Sequence, residues 1–414
     1  MAGSQTSLRE ANRALVIDTV RRFGGLTQVE LATATGLSAA TVSTIVRELL
    51  AAEVVQTRAA VRSGRRAVMV TMNRRVGLAV GVQVGLRSLE IVLADAAHEV
   101  LARQTLPLPF EHRADTTLDQ VALLVVELLQ RVGAEIDNLV GIGIGVPAPV
   151  DPSTGIVSLP GVMRGWDDVP IAHMISKRLG RPVFVDNDAN LGALAESTLG
   201  AGRPYRDFAY VRVSHGIGAG IVIGGSVYRG FSGTAGEIGH SQVAVNGKIC
   251  LCGSRGCLDT VVGSRTLVSA LSVSHGLLTL RDIVKGVHDG DPGCTRVVED
   301  AGAVIGTAVA TMTLTINPEC VIVGGELAET HEVLIRPIRE AIRQRVMSTR
   351  ITPIEVVPAE LGPAAEATGA LALALALAET DAAPRGAGRE PRATPGEDGG
   401  PSPPPPTRGH RPRP

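Results

Sequence analysis

Residues 236–259 read GEIGHSQVAVNGKICLCGSRGCLD. The stretch holds one imidazole and three thiols: His240, Cys250, Cys252 and Cys257. Their spacing, His-x9-Cys-x-Cys-x4-Cys, lets a single loop fold back on one ion. One nitrogen and three sulfurs meet the tetrahedral demand of Zn²⁺. All four positions would be filled by protein, which leaves no place for a catalytic water. The expected role is therefore structural, pinning a glycine-rich loop. Unliganded cysteines and a redox pair are the other readings of these residues. Cys294 and Cys320 stand apart and read as small core residues.

Outward from this loop, residues 78–378 alternate strands and helices, the α/β pattern. Apolar runs predict strands at 78–84, 89–94, 139–146, 183–186, 208–213, 219–223, 319–324 and 353–357. Helices are expected at 116–132, 170–179, 189–199, 293–316, 331–345 and 363–378. Two glycine-punctuated strand pairs, 78–94 and 208–223, suggest an internal duplication.

Upstream, residues 8–72 read as a small helical head. Leu8, Leu15, Val16, Val20 and Phe23 mark a first helix, ended by Gly24-Gly25. Thr27 opens a second, with Glu30 placed for a capping box, and Gly36 ends it. Ser38 is a good N-cap for a third, whose buried stripe is Val42, Ile45, Val46, Leu49 and Leu50. A hairpin follows, with a Ser63-Gly64 turn and Arg62, Arg65 and Arg66 at its tip. Helix, turn, helix and basic hairpin form the layout of a winged helix-turn-helix. Ser38, Thr41, Ser43 and Thr44 could reach phosphates or base edges of double-stranded DNA, and the wing arginines phosphates or a narrow minor groove. A three-helix protein-interaction module is the plainer alternative.

The charge distribution agrees with a DNA-binding head on an unlike body. Residues 1–75 carry a net +6 and residues 76–380 a net −9, although the 414-residue chain nets only −1. Residues 381–414 hold 10 Pro and 6 Gly, a composition expected of a disordered tail. Aromatic residues are only 2%, which argues against stacking on single-stranded nucleic acid. No apolar run approaches the ~20 residues of a membrane span. The N-terminal MAGSQTSLREANR lacks an apolar h-region, so a cytoplasmic location is expected.

Further motifs narrow the reading: Asn187-Asp188-Ala189-Asn190 after a strand, Gly216-Ile217-Gly218-Ala219-Gly220, Glu237-Ile238-Gly239-His240, and CLCGSRGCLD at 250–259. Asn317-Pro318-Glu319 and Gly324-Gly325 add to them. On these residues the chain resembles the ROK family (repressors, open reading frames and sugar kinases), in its transcriptional-repressor branch, over roughly residues 8–378. The resemblance implies a winged helix-turn-helix at 8–75 and an actin-like, two-lobed sugar-kinase domain at 76–380. It also implies zinc on His240, Cys250, Cys252 and Cys257. Asp188 matches the general base of the family's kinases. Asn187, Glu237 and His240 match sugar-binding positions. Asp259 replaces the usual glutamate, one methylene shorter.

The first phosphate loop departs from the kinase pattern Asp-x-Gly-Gly-Thr-Lys. Here it reads Gln83-Val84-Gly85-Leu86-Arg87-Ser88. An amide is a poor Mg²⁺ ligand, and Leu86 blocks close backbone approach to phosphate. Ser214-His215 replace Gly-Thr before the second loop. Asp188 is then a vestigial base position, and kinase activity is not expected. The expectation is a sugar-responsive repressor of carbohydrate-metabolism genes, binding operator DNA as a homodimer or dimer of dimers and a sugar or sugar phosphate as effector. An ATP-dependent hexose kinase is the alternative. A transport-system protein as partner of the effector domain is a third reading.

Overall fold

The computed structural model describes residues 2–62, 65–73, 77–158, 163–347 and 352–382. Helix α1 (Ala2–Arg22) reaches further toward the N-terminus than the periodicity from Leu8 suggests. Of its apolar stripe, Val16 and Val20 are buried while Leu8 and Leu15 stay exposed. Strand β1 (Leu26–Thr27) leads into α2 (Gln28–Thr35), α3 (Ala39–Ala51), β2 (Val55–Arg62) and β3 (Arg65–Met72). The capping box at α2 forms as expected: Thr27 N–H donates to Glu30 Oε2 at 2.7 Å, and Glu30 N–H to Thr27 Oγ1 at 3.2 Å. Gly36 closes α2 at φ +69°, a left-handed conformation that glycine adopts without steric cost. Val42, Ile45, Val46 and Leu49 turn inward from α3. The three strands pair in the order β1-β3-β2, with Arg62 opposite Arg65 at the end of the wing. The Ser63-Gly64 turn lies outside the described residues.

The body begins with β4 (Leu78–Val84), β5 (Ser88–Asp95), β6 (Val100–Pro107), α4 (Ala114–Arg131), β7 (Leu139–Val146), α5 (Ile171–Leu179), β8 (Val183–Asn187) and α6 (Asp188–Leu199). Strands β9 (Phe208–Val213), β10 (Ile217–Ile223) and β11 (Ser226–Tyr228) open the second half. Helices α7 (Leu258–Val262), α8 (Ser264–His275), α9 (Leu280–His288) and α10 (Pro292–Ile316) follow. Strand β12 (Cys320–Gly324), α11 (Glu332–Arg345), β13 (Glu355–Pro358) and α12 (Ala365–Ala382) complete it. The two five-stranded sheets have the orders β6-β5-β4-β7-β8 and β11-β10-β9-β12-β13. These are one topology used twice, as the repeated strand pair suggested. Sequence periodicity misses β6, β11 and α7–α9. Strand β6 has no fully buried face, so no apolar run marks it.

Helices α6 and α12 pack together between the lobes. Helix α12 also lies close on the first sheet, because glycines there face its backbone. A Cβ on Gly81 of β4 would fall 2.0 Å from Ala367 O, and one on Gly143 of β7 1.8 Å from Ala370 O. This explains the alanine-rich stretch from Leu371: a small-residue helix lies directly on the first sheet. Helix α12 continues past residue 380, and residues 383–414 lie outside the described residues. By length and composition helix α10 would suffice to cross a membrane, although Arg296, Glu299 and Asp300 interrupt it as an apolar run. Its 25 residues include a window of mean hydropathy 1.4. One face packs on α11 and the second-lobe core, and Thr307, Thr311 and Thr315 on the exposed side each bond back one turn.

Candidate effector site and metal centre

Strand β8 delivers Asn187 and Asp188 to the cleft between the lobes. Asn187 Oδ1 caps α6, accepting from Ala189 N–H at 2.8 Å and Asn190 N–H at 3.3 Å. Asp188 is buried, with Oδ2 3.3 Å from Arg212 Nη1. The pair lacks hydrogen-bond alignment, so that oxygen has no hydrogen-bond partner. Arg212, on β9, also holds Glu366 at the start of α12, Nε to Oε1 at 2.7 Å. Tyr210 Oη donates to the same Glu366 oxygen at 3.4 Å. Burial pushes the Asp188 carboxyl up to about 6, against the pull of Arg212 and with the repulsion of Glu366. Beside it Asp186 accepts from Arg229 Nε at 2.8 Å and from Asn190 Nδ2 at 3.0 Å. Neither Arg212 nor Glu366 is marked by a motif: an arginine within a strand and a glutamate over 150 residues away meet only in the fold.

Gln83 is buried at the end of β4, and among the described residues neither its Nε2 nor its Oε1 has a hydrogen-bond partner. Asn190 Oδ1 is likewise unpartnered. Buried polar atoms of this kind point to ordered water or a polar ligand. At the cleft mouth, Arg87 from the first lobe and Arg265 from the second both lie over the Phe110 ring, at 5.3 and 4.6 Å from its centroid. Among the described residues, neither guanidinium has an acidic partner. Burial depresses the His215 imidazole, and Arg212 and Arg87 depress it further. Leu86 is half-buried beside them.

His240, Cys250, Cys252 and Cys257 place all four donor atoms within 4.8 Å of one another. Cys252 Sγ and Cys257 Sγ are 3.7 Å apart, and Cys250 Sγ is 3.5 Å from His240 Nδ1. Sulfurs about 2.3 Å from a tetrahedral zinc stand about 3.7 Å apart, so the donor set fits the ion without rearrangement. His240 Nε2 faces Glu237 Oε2 at 3.8 Å, the usual place for a carboxylate behind a metal-bound imidazole. Burial raises Glu237 to about 7, helped by Asp188 and Asp259. Asp259 Oδ1 accepts from Ile217 N–H at 2.8 Å, so this carboxylate braces the second glycine loop.

In the head, Ser38 Oγ caps α3 by accepting from Thr41 N–H at 3.1 Å and shares a hydrogen bond with Thr41 Oγ1 at 2.8 Å. Thr44 is exposed, but its hydroxyl donates to Ala40 O at 3.0 Å. Ser43 is half-buried on the same helix. Arg62, Arg65 and Arg66 lie on the wing strands. Cys320 is buried as expected. Cys294 is buried too, but a second grouping, His275, Asp291 and Cys294, forms around it in the second lobe, which no spacing rule suggested.

A profile of the ROK family matches residues 79–377, and one of the MarR family matches residues 10–66. The chain is 30% identical to the xylose repressor of Bacillus subtilis, covering 88% of this chain and 95% of that one. Among solved structures, a ROK family transcriptional regulator, homologous to the E. coli MLC protein, superposes with a TM-score of 0.69 at 28% identity. That match covers 89% of this chain and 97% of the other. A ROK family glucokinase from Streptomyces griseus, solved with glucose and AMPPNP, gives 0.65 at 27% identity, over 72% of this chain and 99% of the kinase. The architecture is thus a MarR-type winged helix-turn-helix followed by a sugar-kinase-like domain.

Proposed function

The chain belongs to the ROK family, and from that premise we propose that it is a cytoplasmic transcriptional repressor whose operator affinity is set by a sugar or sugar phosphate in the interlobe cleft. The observation that carries this reading is that two helices run from the cleft to the head. Helix α6 begins at Asp188 and ends with Leu199 against Gly24, whose Cβ would sit 2.8 Å from Leu199 Cδ2. Helix α12 begins beside Arg212 through Glu366, and its Leu371, Ala374 and Leu375 share a cluster with Val16 and Val20 of α1. Buried Glu196 near the end of α6 ties that helix to the segment leading into α12, accepting from Ala201, Glu360 and Leu361 N–H groups. A ligand that prefers one lobe arrangement moves the head by that difference in affinity and no more.

Asn187, Asp188, Glu237, His240 and Asp259 supply the carboxylates, amide and imidazole that sugar hydroxyls require, and the Gln83 amide and Asn190 Oδ1, unpartnered among the described residues, add open hydrogen-bonding capacity. Arg87 and Arg265, which have no acidic partner among the described residues, favour an effector carrying a phosphate at the cleft mouth. Gln83 in place of a carboxylate disfavours Mg²⁺–ATP, so kinase activity is lost. Zinc on His240, Cys250, Cys252 and Cys257 holds the loop that carries Glu237. Cys257→Ser is expected to lose one zinc per chain, read by metal analysis, and to lower the melting temperature; full occupancy in that variant would reject the ligand set.

In the head, Ser38, Thr41, Ser43 and Thr44 face the operator, with Arg62, Arg65 and Arg66 on phosphates, in a homodimer that reads two half-sites. Arg65→Ala with Arg66→Ala should reduce the slope of log K against log salt by about 2, as two phosphate contacts are lost. An unchanged slope would remove the wing from the interface.

The function is tested by calorimetry with xylose, glucose and N-acetylglucosamine, each beside its phosphorylated form, followed by binding to duplexes selected from a random pool. One sugar or sugar phosphate should bind and change duplex affinity by roughly 5–150-fold. Arg87→Ala should erase any preference for the phosphorylated form. Selective DNA binding that no sugar alters would defeat the proposal, as would robust ATP-dependent turnover with a bound hexose.

A further inference from the structure

We infer that the second lobe carries a second metal site, on His275, Asp291 and Cys294, suited to Zn²⁺ and separate from the Cys250 loop. The donors arrive from two helix ends. His275 ends α8, Asp291 is the N-cap of α10, and Cys294 lies in that helix's first turn. One ligand atom from each lies within 4.8 Å of the others. His275 Nε2 and Asp291 Oδ2 are 3.1 Å apart. A nitrogen and an oxygen on one tetrahedral zinc stand about 3.3 Å apart, so an ion can enter between them with almost no movement.

Each donor is already oriented. Asp291 Oδ1 accepts from Cys294 N–H at 2.7 Å, which locks the carboxylate and leaves Oδ2 facing the imidazole. His275 Nδ1 is 2.7 Å from Ser274 Oγ. With the Nδ1 proton donated to that hydroxyl, the Nε2 lone pair is free for a metal. Cys294 Sγ has room because residue 286 is glycine: a Cβ there would fall 2.5 Å from the sulfur.

The donors line an open cleft of about 390 Å³, whose wall also includes Asp282 and Asp289. Asp282 is engaged with Thr279, and Asp289 is neutralised by Lys285, so neither is needed as a ligand. One imidazole, one carboxylate and one thiolate suit a borderline cation such as Zn²⁺ and exclude Mg²⁺ or Ca²⁺, which take oxygen donors. Three protein ligands and an open mouth leave the fourth position to water. The ion can therefore exchange with solvent, unlike one enclosed by four protein ligands. It would join the C-terminus of α8 to the N-terminus of α10.

The test is zinc stoichiometry and affinity on the full chain, stripped with chelator and titrated with Zn²⁺. Wild type should take two ions per chain. Cys294→Ala and His275→Ala should each take one fewer than their parent, both in wild type and in a Cys252→Ser background. Ser274→Ala should keep the site but weaken it roughly 10–100-fold. His275 is partly exposed, so its replacement reads metal binding without disturbing the core. If neither Cys294→Ala nor His275→Ala lowers the zinc count in either background, the site does not exist.

Discussion

Arg212→Ala is expected to destabilise the fold by about 3–5 kcal/mol, because it leaves two buried carboxylates without their shared cation. Arg212 stands between Asp188 and Glu366, whose side chains are 7% and 6% exposed. Burial alone would discourage the charge on Arg212, but Asp188 and Glu366 outweigh that and hold the guanidinium firmly protonated. The sign of the pH effect follows from Asp188. Its folded-state carboxyl titrates at about 6, above the ordinary 3.8, so the folded state favours the protonated form. That contribution is intact in acid and fades as pH climbs from about 4 through 6, worth roughly 3 kcal/mol at 1.36 kcal/mol per unit. Asp188→Asn should therefore flatten this part of the stability profile. The Arg212→Ala loss should be smaller at pH 5 than at pH 7, since protonating Asp188 removes one of the stranded charges. Urea denaturation at the two pH values measures both. A loss below 1 kcal/mol at pH 7 would show that the cluster is hydrated and carries no such burden.

The second large effect is expected at Leu371→Ala. Leu371 is fully buried where α12, the first sheet and α1 of the head meet. Truncation leaves a cavity at that junction and costs about 2–5 kcal/mol. Leu377, 37% exposed further along the same helix, serves as the control and should be nearly neutral on truncation to alanine. The functional consequence separates packing from signalling. Sugar binding by calorimetry should persist, because the cleft residues are untouched, while the sugar-induced change in operator affinity should shrink toward onefold. Full retention of that change in a folded Leu371→Ala protein would mean that α12 is not the element both sites bias.

Much of the site was legible residue by residue. The Cys250 loop is local, so its spacing could be weighed against zinc directly. The Thr27–Glu30 box and the Ser38 cap were legible for the same reason, since a cap is satisfied within three residues of itself. Asp188 and Asn187 were marked by the motif around them. The capping of α6 by Asn187 and the bracing of the glycine loop by Asp259 were not, because a side chain with several possible partners takes the one that the surrounding backbone offers.

What the amino-acid order determined by itself is what lies within one helical turn, one strand or one loop: periodicity, caps, the two halves of the body, the tetrad of soft ligands and the altered phosphate loop. Tertiary structure alone decided that Arg212 would clamp Asp188 to Glu366, that Arg87 and Arg265 would meet over Phe110, that His275 would find Cys294, and that an alanine-rich C-terminal helix would span from cleft to head. Each of these joins residues from separate elements. Its energy comes from desolvation and close packing that exist only once distant surfaces have met, and no local pattern encodes which surfaces those will be.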